Sequence, residues 1–244
     1  MVKEKPILFC TDMVRAILED AKGQTRRVVK GKRDKEYGGG PSRVHLFSTI
    51  RQINGIWYGC DSDGLPFIND PIQQPRKPGD ILWVRETWQE VYETEYNIDN
   101  PNEPLKITDL IIGFENLPKV CVGLSRECSC LSMPARNKYY VYTASKPEYT
   151  SEKYELKWRP SIHMPREAAR LFLRVTDVWP ERVQDISEAD AKAEGVMPLN
   201  GSKCGYRGAF RELWNTLNAK RGFDWYTNNW VWVNEFERVK EELE

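Results

Sequence analysis

"RLFLRVTDVWPERVQDISEADAKAEG", residues 170–195, contains the step from strand to helix that decides the fold. "RLFLRVTDVW" reads as a strand. "DISEADAKAEG" then carries a helix start and stop: Ser187 as N-cap, Asp190 in the capping-box position and Gly195 just past the end. A strand feeding a short capped helix, in a chain with no dinucleotide glycine pattern, no P-loop and no internal repeat, points to an α+β protein.

The same alternation of element types opens the chain. "PILF" reads as a short strand, and Val14, Ile17, Leu18 and Ala21 recur at helical spacing behind a Thr11/Asp12 cap, with Gly23 closing the helix. "TRRVVK" follows with period-2 alternation, so Thr25 and Arg27 share one strand face and Arg26 and Val28 the other.

Further on, "KPGDILWVRETW" gives a turn and a strand with Ile81, Trp83 and Arg85 on one face and Leu82, Val84 and Glu86 on the other. "KYYVYTA" is another strand. "KWRPSIHMPREA" is an extended ledge fixed by its two prolines. Phe210, Leu213, Trp214 and Leu217 outline a helix ended by Gly222, "NNWVWVNEFERV" is a last strand, and the "KEELE" tail frays. Residues 31–77, with the "YGGGPS" turn and a hairpin in "INGIWYGCDSDGLPF", and the acidic, Asn/Pro-rich residues 93–137 read as insertions. The expected architecture is one domain over 1–244: a mixed β-barrel flanked by short helices, with those two insertions.

The chain has 244 residues, with 36 Lys/Arg against 36 Asp/Glu, so net charge identifies no partner. Its distribution is uneven: residues 22–51 are basic and residues 86–116 acidic. A basic patch there attracts a phosphate backbone, while two solvated insertions of opposite charge explain the pattern equally well. No apolar leader or membrane-length segment is present, which leads to the expectation of a cytoplasmic protein without a membrane partner. The six cysteines read as thiols. "CVGLSRECSC", with Cys121, Cys128 and Cys130, lacks Cys-x-x-Cys spacing. His45 and His163 are too few for a histidine metal cluster, so no metal and no cofactor are expected.

Glu194 is the residue that local rules explain worst, because a carboxylate in the last helical position meets the negative end of the helix dipole, at a cost of roughly 0.3–1 kcal/mol. Burial and that field would raise its pKa toward the range of a general acid, whereas a solvated glutamate there costs little. Lys22 can satisfy helix-terminal carbonyls, and Thr25 can be a strand filler. His163 lies between Arg159 and Arg166, as a pocket residue or a satisfied histidine under a loop. Of the nine tryptophans, most belong to the core, and one or two, Trp83 beside Arg85 among them, could stack a base.

"ILFCTDMVRAILEDAKGQTRR", "PGDILWVRE", "LRVTDVWPERVQDISEADAKAEGV" and "NNWVWVNEFERV", in that order, resemble the ASCH domain, a branch of the PUA-like superfamily. With "KWRPSIHMPREAARLFLRVTDV" added, the chain is similar to the long ASCH-containing proteins of bacteriophages and prophages. The resemblance covers about half of the chain and leaves the insertions outside. It implies a small β-barrel with flanking helices and a cleft for RNA or nucleosides. In the branch that removes the acyl group from N4-acetylcytidine, the working lysine, threonine and glutamate match Lys22, Thr25 and Glu194. Asp20 stands where that branch has a glycine, and Gly23 where it has a threonine.

The reaction so implied is hydrolysis of an amide on a modified cytosine. Thr25 is the nucleophile or orients a water, Lys22 is the base, with its pKa lowered by burial and by Arg26 and Arg27, and Glu194 protonates the leaving amine. Arg26, Arg27, Trp83, Arg85 and His163 would contact substrate. Two other outcomes fit the same residues. One is a module that binds RNA, or a flipped or single-stranded base, without turnover. The other is a metal-independent ribonuclease.

Overall fold

The computed structural model describes residues 3–30, 47–92, 138–145, 158–198 and 205–239. The chain is mixed α+β and strand-rich, with ten strands and three α-helices among those residues. It divides into two compact units, one made of residues 1–5, 16–82 and 171–244, the other of residues 6–15 and 83–170.

Five strands form the main sheet: β1 (Glu4–Leu8), β2 (Gln24–Val28), β6 (Ile81–Arg85), β9 (Phe172–Arg182) and β10 (Trp230–Arg238). Their order is β1-β6-β9-β10-β2, with β10 antiparallel to both of its neighbours. The expected barrel is therefore corrected to open sheets. β1 and β2 are the two edges of this sheet, and closure would need them to pair. A bulge between Glu235 and Phe236 bends β10 without closing the sheet.

In the first unit, β3 (Thr49–Ile53), β4 (Ile56–Cys60) and β5 (Pro66–Ile72) form an antiparallel three-stranded sheet where the sequence suggested a hairpin inside an insertion. Asn54 and Gly55, with φ of 51° and 79°, make the two-residue turn between β3 and β4, in the left-handed conformation that such turns require. This sheet lies on one face of β10, where Trp57 meets Trp232 edge-on at 5.4 Å and Trp230 Nε1 donates to the Phe47 carbonyl. On the opposite face, helices α2 (Glu188–Ala193) and α3 (Gly205–Asn218) bury Phe210 and Trp214 against Val231 with Val183 and Ile186.

Two sequence expectations change at helix ends. Helix α1 (Thr11–Leu18) buries Val14 and Ile17 as expected but ends at Leu18, before Gly23. Asp20 takes the left-handed turn at φ 54°, which aspartate tolerates better than most residues. The N–H groups of Ala21 and Lys22 both fold back onto the Ala16 carbonyl, leaving Ala21 exposed. In α3 the apolar stripe drifts: Leu217 is 42% exposed, and Asn218 is buried in its place, donating to the Trp214 carbonyl.

The second unit contains β7 (Trp88–Tyr92) and β8 (Lys138–Tyr142), paired antiparallel, and a small core of Trp88, Tyr142, Met164 and Ala168. The proline-bounded ledge forms two 3₁₀ turns, Ser161–His163 and Arg166–Ala168. No helix among the described residues is long and apolar enough to cross a membrane.

Candidate functional site

The start of β2 and the end of α2 meet at a single point of main-chain pairing, an isolated antiparallel bridge between Lys22 and Glu194. Each local signal contributes to it. Ser187 caps α2 by accepting from the Asp190 N–H, and Gly195 reverses the chain at φ 78°. The early end of α1 frees Lys22 for extended backbone. A Cβ on Gly195 would fall 2.8 Å from Ala16 Cβ and 2.9 Å from Lys22 Cβ, so the turn closes against the lysine.

The side chains complete the junction. Lys22 Nζ donates to Glu194 Oε2 and to the Glu194 carbonyl, both at 2.7 Å. Arg26 Nη1 donates to Glu194 Oε1 at 3.1 Å and to Gln24 Oε1 at 3.3 Å, and its Nε donates to Glu181 Oε1 at 2.7 Å. Asp190 lies 3.9 Å from the same guanidinium, which sits over the Phe210 ring. The side chains of Lys22 and Arg26 have no exposed surface, and that of Glu194 has 3%. Burial pushes the Asp190 carboxyl up. Hydrogen bonds from Ser187 and Gln24 and the charge of Arg26 outweigh that effect and hold it below the usual carboxylate range.

Sequence reasoning placed Glu194 against the helix dipole. The structure answers that conflict with two cations, one on each carboxylate oxygen. It also selects between the neighbouring arginines. Arg26 faces α2 and α3, while Thr25 and Arg27 lie on the other face of β2, opposite Asn234 and Trp232 of β10. Thr25 is 2% exposed, and Arg27 is half-buried. Lys22 and Glu194 thus come together, and Thr25 occupies the reverse side of the strand from the arginine that joins them. Glu181 and Gln24 were missed. Their signal was period-2 alternation, which puts Gln24 on the Arg26 face of β2 and Glu181 opposite Val231 on that same face.

The remaining candidates belong to the second unit. Arg85 stacks on Trp83 at 5.2 Å and donates to the Met164 carbonyl, and His163 is exposed at the end of a 3₁₀ turn. Sequence reasoning missed the strongest polar feature of that unit. Glu86, 1% exposed, takes a two-pronged ion pair from Arg170 at 2.9 Å per contact, and the Arg170 guanidinium lies 4.1 Å from the centre of the Tyr142 ring. Burial pushes the Tyr142 hydroxyl well above the usual tyrosine range.

Cys121, Cys128, Cys130 and Cys204 lie outside the described residues, as do His45 and most of the basic stretch 22–51. In the described part of that stretch, Lys22 and Arg26 are directed at acids inside the protein, not at solvent.

No family model, no curated protein and no solved structure matches the chain.

Proposed function

We propose that the chain is a nucleoside- or nucleic-acid-acting protein of the PUA-like ASCH kind, and that Lys22 and Glu194 are the proton-handling pair of its site. One observation carries the reading: two residues 172 positions apart, singled out as a lysine and glutamate of one site, are joined by a 2.7 Å ion pair and a main-chain bridge. The left-handed backbone at Asp20 supports it as well, because the resemblance places a glycine at that position.

The most concrete reaction is hydrolysis of the amide on an N4-acylated cytosine. The hydrogen bond between Lys22 and Glu194 lets the pair trade its proton, giving a neutral amine beside a carboxylic acid. Lys22 then takes a proton from the attacking water as the water oxygen bonds to the acyl carbon. Glu194 gives its proton to the exocyclic nitrogen as the C–N bond breaks. The products are the free base and a carboxylic acid, and the pair returns to ammonium and carboxylate.

The test incubates the protein with a panel of acylated nucleosides and short modified oligonucleotides and reads the products by mass spectrometry. Loss of an acyl group is expected. Turnover by folded Glu194→Gln should fall by roughly 10² to 10⁴. Turnover that needs an added divalent ion, or that Glu194→Gln leaves intact, overturns the assignment.

A second reading, binding of a base without turnover, is favoured by the sealing of the pair: neither side chain offers solvent access to a substrate as it stands. A salt titration separates the two. A backbone binder loses affinity steeply between low and moderate salt, whereas a nucleoside hydrolase keeps it. A cut strand in the same mass spectra would mark the ribonuclease alternative.

A further inference from the structure

Two acids hold the Arg26 guanidinium. Its Nη1 donates to Glu194 Oε1 at 3.1 Å, and its Nε donates to Glu181 Oε1 at 2.7 Å, the shorter of the two contacts. Glu181 Oε2 in turn accepts from Trp179 Nε1 at 3.2 Å. Together with the 2.7 Å contact between Lys22 Nζ and Glu194 Oε2, these bonds run in one line: Trp179, Glu181, Arg26, Glu194, Lys22. The strands account for it. Trp179 and Glu181 lie two residues apart on one face of β9, and Trp179 stands opposite Val233, which stands opposite Arg26. The line also leads outward. The side chains of Lys22 and Arg26 have no exposed surface, that of Glu181 has 17%, and Trp179 is half-buried.

The outer members of this line bear on the proton exchange inside it. Arg26 beside Glu194 favours the charged carboxylate and so opposes the passage of a proton from Lys22. Glu181 acts in the opposite sense, because a second carboxylate on the same guanidinium offsets its charge at Glu194. The surrounding elements leave that role to Glu181. On α2, Asp190 stays 3.9 Å from Arg26 Nη2, with its Oδ2 taken by Ser187 Oγ at 2.7 Å, and Lys192 is directed at the Tyr206 ring. α3 presents the uncharged ring of Phe210 to Arg26, and β10 presents Val233. Two cations, Lys22 and Arg26, thus meet three carboxylates, Glu194, Asp190 and Glu181, and removal of the Glu181 charge would leave two against two.

We infer that Glu181 is a positioning residue of the Lys22–Glu194 pair: it holds Arg26 at Glu194 and, by offsetting the charge of that arginine, lets Glu194 receive the proton that Lys22 gives up. The proton moves from Nζ to Oε2 along the 2.7 Å contact, and Glu181 touches neither the proton nor the substrate. Trp179 keeps the Glu181 carboxylate turned toward Arg26. This role rests on the proton-handling reading of the pair given above.

Two substitutions in the full chain separate charge from orientation. Glu181→Gln keeps the shape and an acceptor for Arg26 Nε while removing the charge. Trp179→Phe keeps the charge and removes the N–H that orients it. In pH–rate profiles of deacylation, Glu181→Gln should lower kcat roughly tenfold, leave KM unchanged and move both limbs of the profile to lower pH. Trp179→Phe should lower kcat less and leave the limbs in place. Glu181→Asp, which draws the charge back by one methylene, should fall between the parent and Glu181→Gln, and it carries the same comparison if Glu181→Gln does not fold. A purely structural role lowers the profile without moving its limbs, so limbs that coincide with the parent's in every folded variant overturn the inference and leave the hydrolytic reading standing. The pair can also be followed without turnover, by carbon NMR of chain labelled at its glutamate carboxyls, in which the Glu194 signal is the one missing from Glu194→Gln. Its response to pH should move to lower pH in Glu181→Gln and not in Trp179→Phe. That shift in a protein that removes no acyl group keeps the role of Glu181 and rejects the hydrolytic reading. Absence of both the shift and deacylation overturns the two together.

Discussion

Glu194 shows how a residue that fails one local rule can be accounted for at longer range. A carboxylate after the last turn of α2 opposes the helix dipole by a fraction of a kcal/mol. Its burial between Lys22 and Arg26 is a much larger matter. Judged by the dipole alone, Glu194→Gln should stabilise the fold by a few tenths of a kcal/mol. The structure reverses that sign, because removing one charge from a buried set leaves its partners uncompensated, at a cost of about 3–5 kcal/mol. Glu194→Gln should therefore lower the urea midpoint clearly, and so should Lys22→Met. The double variant Lys22→Met/Glu194→Met should recover part of the loss, since an apolar pair of similar volume avoids desolvating two ions. A midpoint for Glu194→Gln equal to or above that of the parent chain would show that the ion pair contributes nothing. Glu194 was visible in the sequence as an anomaly. Arg26 as its second cation was not, because adjacent arginines on a strand differ only in which face the core takes, and that depends on the position of α3.

The elements were more legible than their junctions. β2, β6, β8, β9, β10 and α2 lie where alternation and capping place them, because each signal is local: period 2 in the strands, and Ser187 and Gly195 around the helix. The α1 terminus was misread because glycine is the commoner stop, while Asp20 takes the left-handed turn here. The order β1-β6-β9-β10-β2 and the three-stranded sheet depend on pairings distant in sequence, which periodicity does not encode. Gly195 is the junction most open to test. Its φ of 78° disfavours any side chain, and an added Cβ would stand within 2.9 Å of Ala16 and Lys22. Gly195→Ala should thus cost more than the 1–2 kcal/mol of a left-handed alanine alone. It should also slow hydrogen–deuterium exchange less at the Lys22 and Glu194 main chain, because the bridge between them is pushed apart. A melting temperature within 1 °C or so of the parent, with unchanged protection, would mean that the turn relaxes without cost.

At the scale of the molecule, the first unit depends on carboxylates that fold into contact with cations, which gives its stability a direction in pH. Asp80 ties the turn before β6 to the chain start. Burial works against its charge, but the hydrogen bond and charge of Lys5 and the main-chain N–H groups of Lys77 and Lys3 prevail, and its carboxyl titrates below the usual carboxylate range. Asp190 is held low in the same way at the Arg26 junction. A carboxyl whose folded pKa is depressed binds its proton more readily in the unfolded chain. Its contribution is fully present above the unfolded value of about 4 and is lost as pH falls through the lower, folded value. Urea midpoints of the parent chain, Asp80→Asn and Asp190→Asn, measured from pH 7 to pH 2.5, should show each variant below the parent by a constant margin down to about pH 5. The margin should then shrink as acid protonates the parent's own carboxyl. A margin that persists unchanged at pH 2.5 would assign these residues a role in packing alone, since a neutral carboxyl and an amide would then differ for reasons other than charge.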